Sequence, residues 1–304
     1  MGKRAFLFPG QGSQYIGMAK DFYENSVEAR EMIKTADDVL GIPLSYNMFN
    51  GPEEELKQTE ITQPAIFLHS VIIASLLRTL DKDATAGHSL GEYSALVSAG
   101  AMQFYEAVQL VRLRGQGMQI AGTENPGTMA AVVGLEGSVL EALCNEASSE
   151  GIVQCANFNS PGQTVISGSI PGVKKAMELA KANKAKLVKE LVVSGAFHSP
   201  LMQSAKDKLF SELEKYNFYD SRVPVYVNVT GEPVSKKDEF KVMLHRQVTE
   251  PVLWEQTIRN MVRDGFDEFY EIGPGKVLQG LVKRISPESK CFGIDTFKDL
   301  EPFL

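Results

Sequence analysis

The sequence predicts an α/β protein with a largely parallel sheet, and three observations carry that expectation. Strand-like apolar runs alternate with helix-like periodic segments along most of the chain. Glycine-rich turns close several of these strands, at Gly10-Gln11-Gly12, at Gly87-His88-Ser89-Leu90-Gly91 and at Gly273-Pro274-Gly275. Between them the rhythm changes to β-α-β-β-α-β, the split pattern of a ferredoxin-like unit.

Taken in order, residues 4–8 are a short apolar strand, followed by a turn and a helix near 17–24. Helical patterns run over 26–40 and 63–80. The second holds the longest apolar stretch, but His69, Ser70, Ser75 and Arg78 interrupt it and it is too short to span a bilayer, so it reads as a buried helix. Residues 84–88 are a strand that turns sharply into a helix just after Ser89. The middle of the chain gives strands at 128–134, 152–157, 163–167 and 186–193, with helices at 137–149 and 171–183. Pro171 comes early in its helix, where a missing N–H does no harm. This places a small inserted domain at 125–193 within a large one formed by 1–124 and 194–304. After the insertion a helix follows Ser199-Pro200, 223–230 is a strand, 253–264 a helix, 269–272 a strand and 276–284 the last helix.

Of the 304 residues, 43% are hydrophobic and 23% charged, ordinary for a globular protein with a sizeable core. A formal net charge of −7 argues against non-specific nucleic-acid binding, which needs a basic surface to displace counterions. Pro9-Gly10 stops the first apolar run far short of a signal-peptide core, and Phe6 stands where a myristoylation signal wants Ser or Thr. Cys144, Cys155 and Cys291 are scattered and odd in number, with no Cys-x-x-Cys pair. That suits a reducing compartment, the cytosol, with no disulfide framework, zinc site or other metal centre. Nothing demands more than a monomer.

The chemistry centres on Gly87-His88-Ser89-Leu90-Gly91. A Gly-x-Ser-x-Gly run at a strand-to-helix turn is a nucleophile elbow, in which the positions two before and two after the serine must be small. Ser89 then sits at a helix N-terminus that favours developing negative charge, with the Leu90 backbone N–H as one oxyanion donor. The plainer reading is an N-cap serine in a glycine-rich turn. A serine nucleophile needs a base, and there are four histidines. His88 adjoins the serine but should point away from it. His69 lies in an apolar helix and His245 in a charged, exposed one. His198, where a strand ends and a helix begins, can reach Ser89 at the common edge of a parallel sheet, and is the best base. No acidic residue stands out to orient it, so a backbone carbonyl would do that work in a Ser-His dyad. Pro9-Gly10-Gln11-Gly12-Ser13-Gln14 lacks the glycine spacing of a dinucleotide loop. It is either a loop whose Gln11 supplies a second oxyanion donor or a turn without chemistry.

Together the motifs resemble the malonyl-CoA:acyl carrier protein transacylase family, including the acyltransferase domains of polyketide synthases. The resemblance spans essentially the whole chain. It rests on Phe8-Pro9-Gly10-Gln11-Gly12-Ser13-Gln14, Gly87-His88-Ser89-Leu90-Gly91-Glu92, Arg112-Leu113-Arg114-Gly115, Gly195-Ala196-Phe197-His198-Ser199 and Glu271-Ile272-Gly273-Pro274-Gly275-Lys276, all in family order. It implies a hydrolase-like α/β core with a ferredoxin-like insertion. It makes Ser89 the acylated nucleophile, His198 its base, and the Gln11 and Leu90 N–H groups the oxyanion hole. The main-chain carbonyl of Gln247 is the implied orienter of His198. Arg114 is the implied partner of the malonyl carboxylate, and Phe197 resembles the residue of malonyl-selective members. Arg112, by contrast, reads as a solvated arginine. The implied substrates are malonyl-CoA and acyl carrier protein. No cofactor is expected, since coenzyme A enters as the thioester. A chain without fused domains tilts toward fatty-acid rather than polyketide synthesis. A serine esterase or thioesterase shares the elbow and is the main rival, and a docking module without catalysis is the other.

Overall fold

The computed structural model describes residues 2–304. Its ten strands are β1 (Lys3–Phe8), β2 (Ala84–Gly87), β3 (Gly127–Val133), β4 (Val153–Ser160), β5 (Gln163–Ser169), β6 (Leu187–Leu191), β7 (Val225–Tyr226), β8 (Pro233–Val234), β9 (Phe266–Ile272) and β10 (Lys290–Ile294). They form two sheets.

The larger sheet has the order β10-β9-β1-β2-β7-β8, and only the pairing of β7 with β8 is antiparallel. Its central strand β1 shows why its members read as unbroken apolar runs. Phe6 and Phe8 enter the core on one face, packed with the helix Thr59–Leu76, while Ala5 and Leu7 enter a separate core on the other, beside Trp254 and Phe269. A parallel sheet covered on both faces has no solvent side to alternate with. Each large side chain buried this way contributes roughly 1.5–3 kcal/mol.

The smaller sheet, β4-β5-β3-β6, is antiparallel throughout. Its strands come in the order β-α-β-β-α-β, and β3 and β4, joined by the helix Gly137–Ala147, are not neighbours. One face packs on that helix and on Ile170–Ala182, through Ala130, Val132 and Ile166. The other turns Met129 and Val165 toward a cleft shared with the larger sheet. A bridge between Asn157 and Val252 ties β4 to the larger part.

Several elements differ from the expected bounds. The strand expected over 223–230 is only Val225–Tyr226, because the chain turns away at Val227 and Asn228. The first helix starts at Lys20 rather than 17, since Gly17 (φ 95°) and Ala19 (φ 62°) hold left-handed backbone before it. The buried helix is Thr59–Leu76, a turn earlier than its apolar pattern suggests. The arginine pair lies on a 21-residue helix, Phe104–Glu124, and His245 on Lys237–Gln247. β8, β10 and the short helices Leu44–Asn50 and Glu53–Leu56 carried no readable pattern. Among the described residues, no helix is long and apolar enough to cross a membrane.

Candidate active site

β2 ends at Gly87, and the helix Gly91–Ser98 begins four residues later. Ser89 stands between them at φ 51°, in the left-handed region that a side chain rarely adopts. The turn closes only because the flanking positions lack side chains. A Cβ on Gly87 would lie 1.9 Å from the Gly91 carbonyl carbon, and one on Gly91 would lie 2.1 Å from the Phe8 oxygen. Asn228 then locks the turn. Its Oδ1 accepts the Ser89 N–H at 2.7 Å and its Nδ2 donates to the Gly87 carbonyl at 2.6 Å.

His198 meets Ser89, with Nε2 2.8 Å from Oγ. Its Nδ1 lies 2.8 Å from the main-chain oxygen of Gln247, at the C-terminus of the helix Lys237–Gln247. A carbonyl can only accept, so Nδ1 carries the proton and Nε2 is left as the acceptor for the serine hydroxyl. His198 is also left-handed, at φ 56°. Gln154 of β4 steadies that backbone, donating from Nε2 to the His198 carbonyl at 2.8 Å and to that of Thr249 at 3.1 Å. Burial, with Arg114 nearby, lowers the His198 pKa to about 3, against the opposing pull of its bond to Gln247. The ring is therefore neutral at physiological pH.

The other three histidines are engaged elsewhere. His88 Nε2 is 2.9 Å from Asn159 Oδ1, toward the smaller sheet, and its ring lies 5.5 Å from that of Trp254. His69 is fully buried and bonds the Asp295 carbonyl at 2.8 Å, while His245 packs on Phe210.

Arg114 is 2% exposed. Its Nη1 donates to Gln63 Oε1 at 2.8 Å, and its Nη2 to Gln247 Oε1 at 3.0 Å and to Ser89 Oγ at 3.1 Å. The Tyr93 ring lies 5.6 Å from the guanidinium. Among the described residues, no carboxylate forms an ion pair with Arg114, and its Nε has no partner. A guanidinium this deep without a counter-ion is unusual, because burying a charge costs several kcal/mol unless it is paired. Arg112, read as solvated, is instead partly buried, with its guanidinium on the Glu60 carbonyl and carboxylate at 3.0 and 3.3 Å.

These groups open on a cleft of about 790 Å³ between the two sheets. Gln11 and Leu90 flank it at Ser89, and among the described residues neither of their backbone N–H groups donates to a protein acceptor. The Gln11 side chain reaches Thr59 Oγ1 at 3.3 Å. Phe197, mostly buried, lines the cleft beside His198. The structure thus brings Ser89, His198, Gln247, Arg114, Gln11, Leu90 and Phe197 to one place. The sequence reading did not single out Asn228, Gln63 or Gln154, and quoted Glu92 without a role. Glu92 is 1% exposed beneath the elbow, and burial raises its carboxyl pKa to about 7. Its position in the first turn after the elbow was the one available signal.

A serine and a neutral histidine in hydrogen-bond contact at a strand-to-helix elbow, on an α/β fold with an antiparallel insertion, define an acyl-transfer class of site. The chain belongs to the acyl transferase domain family, which matches residues 5–290, and it is an acyltransferase. More narrowly, it is 44% identical to the malonyl CoA-acyl carrier protein transacylase of Bacillus subtilis (strain 168), over 99% of this chain and 96% of that protein. It is 40% identical to the protein of the same name from Staphylococcus aureus (strain MRSA252), over 99% and 98% of the two. The malonyl CoA-acyl carrier protein transacylase structure from Coxiella burnetii superposes with a TM-score of 0.96 at 38% identity, covering 99% and 96% of the chains. A malonyl-transacylase solved in complex with a type II PKS acyl-carrier protein does so equally well, at 0.96 and 39%, covering 99% of each chain.

Proposed function

We propose that this protein transfers the malonyl group from malonyl-CoA to the phosphopantetheine thiol of an acyl carrier protein, through a malonyl ester on Ser89, and so supplies extender units for fatty-acid synthesis. The observation that carries the reading is Arg114, a buried cation that lies 3.1 Å from the Ser89 hydroxyl and has no carboxylate partner among the described residues. A carboxylate on the acyl group would complete it with two parallel hydrogen bonds, which a neutral acyl group cannot form.

In the first half-reaction Ser89 Oγ attacks the thioester carbonyl while its proton passes to His198 Nε2. The free N–H groups of Gln11 and Leu90 receive the oxyanion. The tetrahedral intermediate collapses, the C–S bond breaks, and the proton on Nε2 goes to the departing coenzyme A sulfur. In the second half the carrier-protein thiol gives its proton to Nε2 and attacks the Ser89 ester. The C–O bond breaks, and Ser89 recovers its proton. The Gln247 carbonyl stabilises the imidazolium formed in each half, the task a carboxylate performs in a triad. Pairing of Arg114 with the substrate carboxylate also offsets the positive field that depresses His198, so the base strengthens when the right acyl group is bound.

Intact-protein mass spectrometry after brief mixing with malonyl-CoA tests this. A malonyl adduct is expected on Ser89, discharged faster by carrier protein than by water. Rapid discharge by water alone would make the protein a thioesterase, and no adduct would leave only a binding role.

A further inference from the structure

Gln247 occupies two positions in the site with two different parts of itself. Its main-chain oxygen faces His198, and its side-chain oxygen faces Arg114. The side chain is not free to choose. Its Nε2 donates to the Ser89 carbonyl at 3.0 Å and to Glu92 Oε2 at 3.0 Å. The Ser89 carbonyl can only accept and the guanidinium can only donate, so the amide nitrogen must face the first and Oε1 the second. Glu92 Oε2 is itself fixed by the Asn228 N–H at 2.8 Å, and Asn228 clamps the elbow. Gln63, the other oxygen on Arg114, has no such lock, for among the described residues its Nε2 meets only Met118 Sδ at 3.6 Å.

We infer that the Gln247 side chain, locked in one orientation by Glu92, is the specificity-positioning group that holds Arg114 ready for a carboxylate-bearing acyl chain. The inference rests on the reading of Arg114 given above and deepens it. An amide oxygen suits the task better than a carboxylate would. It fixes the guanidinium in place without cancelling its charge, whereas a directly paired Asp or Glu would compete with the substrate for the same donors. Glu92 supplies a fixed acceptor at the far end of the chain of bonds, one amide away, close enough to orient and too far to pair. The dyad and the specificity element are then joined through one residue, with Arg114 also touching Ser89 Oγ.

The experiment is the ratio of kcat/KM for malonyl-CoA to that for acetyl-CoA, a quantity that does not depend on the fraction of protein folded. In Gln247→Met, which keeps the main-chain oxygen and most of the volume, the ratio should fall roughly 10–100-fold, the range for losing a hydrogen bond to a charged group. In Glu92→Gln, which keeps an acceptor but lets the amide turn over, it should fall about 3–10-fold. Arg114→Ala is the reference and should lower the ratio at least as far as Gln247→Met. If it does so while both other variants leave the ratio unchanged, the inference is overturned and the role of Arg114 stands. If Arg114→Ala itself leaves the ratio unchanged, the carboxylate reading fails and the inference with it. Should Gln247→Met not fold, Glu92→Gln decides by the same criterion.

Discussion

The larger sheet is buried on both faces, and the ends of its strands carry the turns where Ser89 and Gln11 stand. The smaller sheet is buried on one face by its two helices and offers the other to the cleft. In the first, backbone geometry leaves almost no latitude, with two glycines that admit no Cβ and an asparagine bonded to both sides of the elbow. In the second, contact with the elbow and its histidine narrows to a few side chains, chiefly Gln154 on the His198 carbonyl and Asn159 on His88, the residue before Ser89. One sheet places Ser89, and the other closes over it and steadies His198. The difference teaches that rigidity is concentrated where the Ser89 hydroxyl is placed, and that the covering layer acts through a small number of replaceable bonds.

The sharpest way to break this contrast is at the elbow. Gly87→Ala puts a methyl group into the Gly91 backbone, which cannot move without opening the helix it begins. We expect a loss of about 3 kcal/mol or more in urea unfolding, in the range of severe overpacking, together with loss of Ser89 acylation. A variant that acylates normally would show the elbow to be far softer than described. On the opposite side, Gln154→Leu removes the bond from β4 to His198 and leaves the elbow untouched. Turnover should fall about 10-fold, as for one misplaced hydrogen bond, with the malonyl-to-acetyl ratio unchanged. Unchanged turnover would reduce the smaller sheet to a wall. The smallest effect is electrostatic. Burial and Arg114 hold the His198 pKa at about 3, so its ring should show no NMR titration midpoint between pH 5 and 8. Removing the cation in Arg114→Ala stabilises the imidazolium, and the midpoint should move upward. A wild-type midpoint near 6.5 would contradict the buried, cation-flanked environment.

How much of this was legible in the sequence follows the same division. The elbow could be read because its chemistry is steric and local, and glycine at two fixed offsets is a signature that few other turns require. The ferredoxin-like order could be read because its strands and helices are short, periodic and punctuated by turns. Asn228 could not. It lies in Val-Pro-Val-Tyr-Val-Asn-Val-Thr, which alternates like a strand, yet pairing stops at Tyr226 and the asparagine turns under the elbow. Gln63 and Gln247 escaped for a related reason. Each is a buried polar residue on a helix, and nothing local distinguishes a glutamine that faces a guanidinium from one that faces water. The Gln247 carbonyl was named only through resemblance, although the free carbonyls of a helix's last turn are natural acceptors. Phe104–Glu124 is hard to bound from sequence because Gly115, Gly117 and Gly122 interrupt a helical pattern, and two of those glycines, Gly115 and Gly122, are there for close packing. A Cβ on Gly122 would lie 2.1 Å from the Ser194 oxygen, and one on Gly115 would lie 2.8 Å from the Thr59 oxygen.

Ser89 and His198 share one further property, the left-handed backbone each adopts without being glycine. Such a conformation costs roughly 1–2 kcal/mol per residue, and a glycine at either position would relieve it. At these two sites conformational ease and the proposed chemistry therefore pull in opposite directions. Glycine at either position would therefore be expected to raise stability while removing the proposed chemistry.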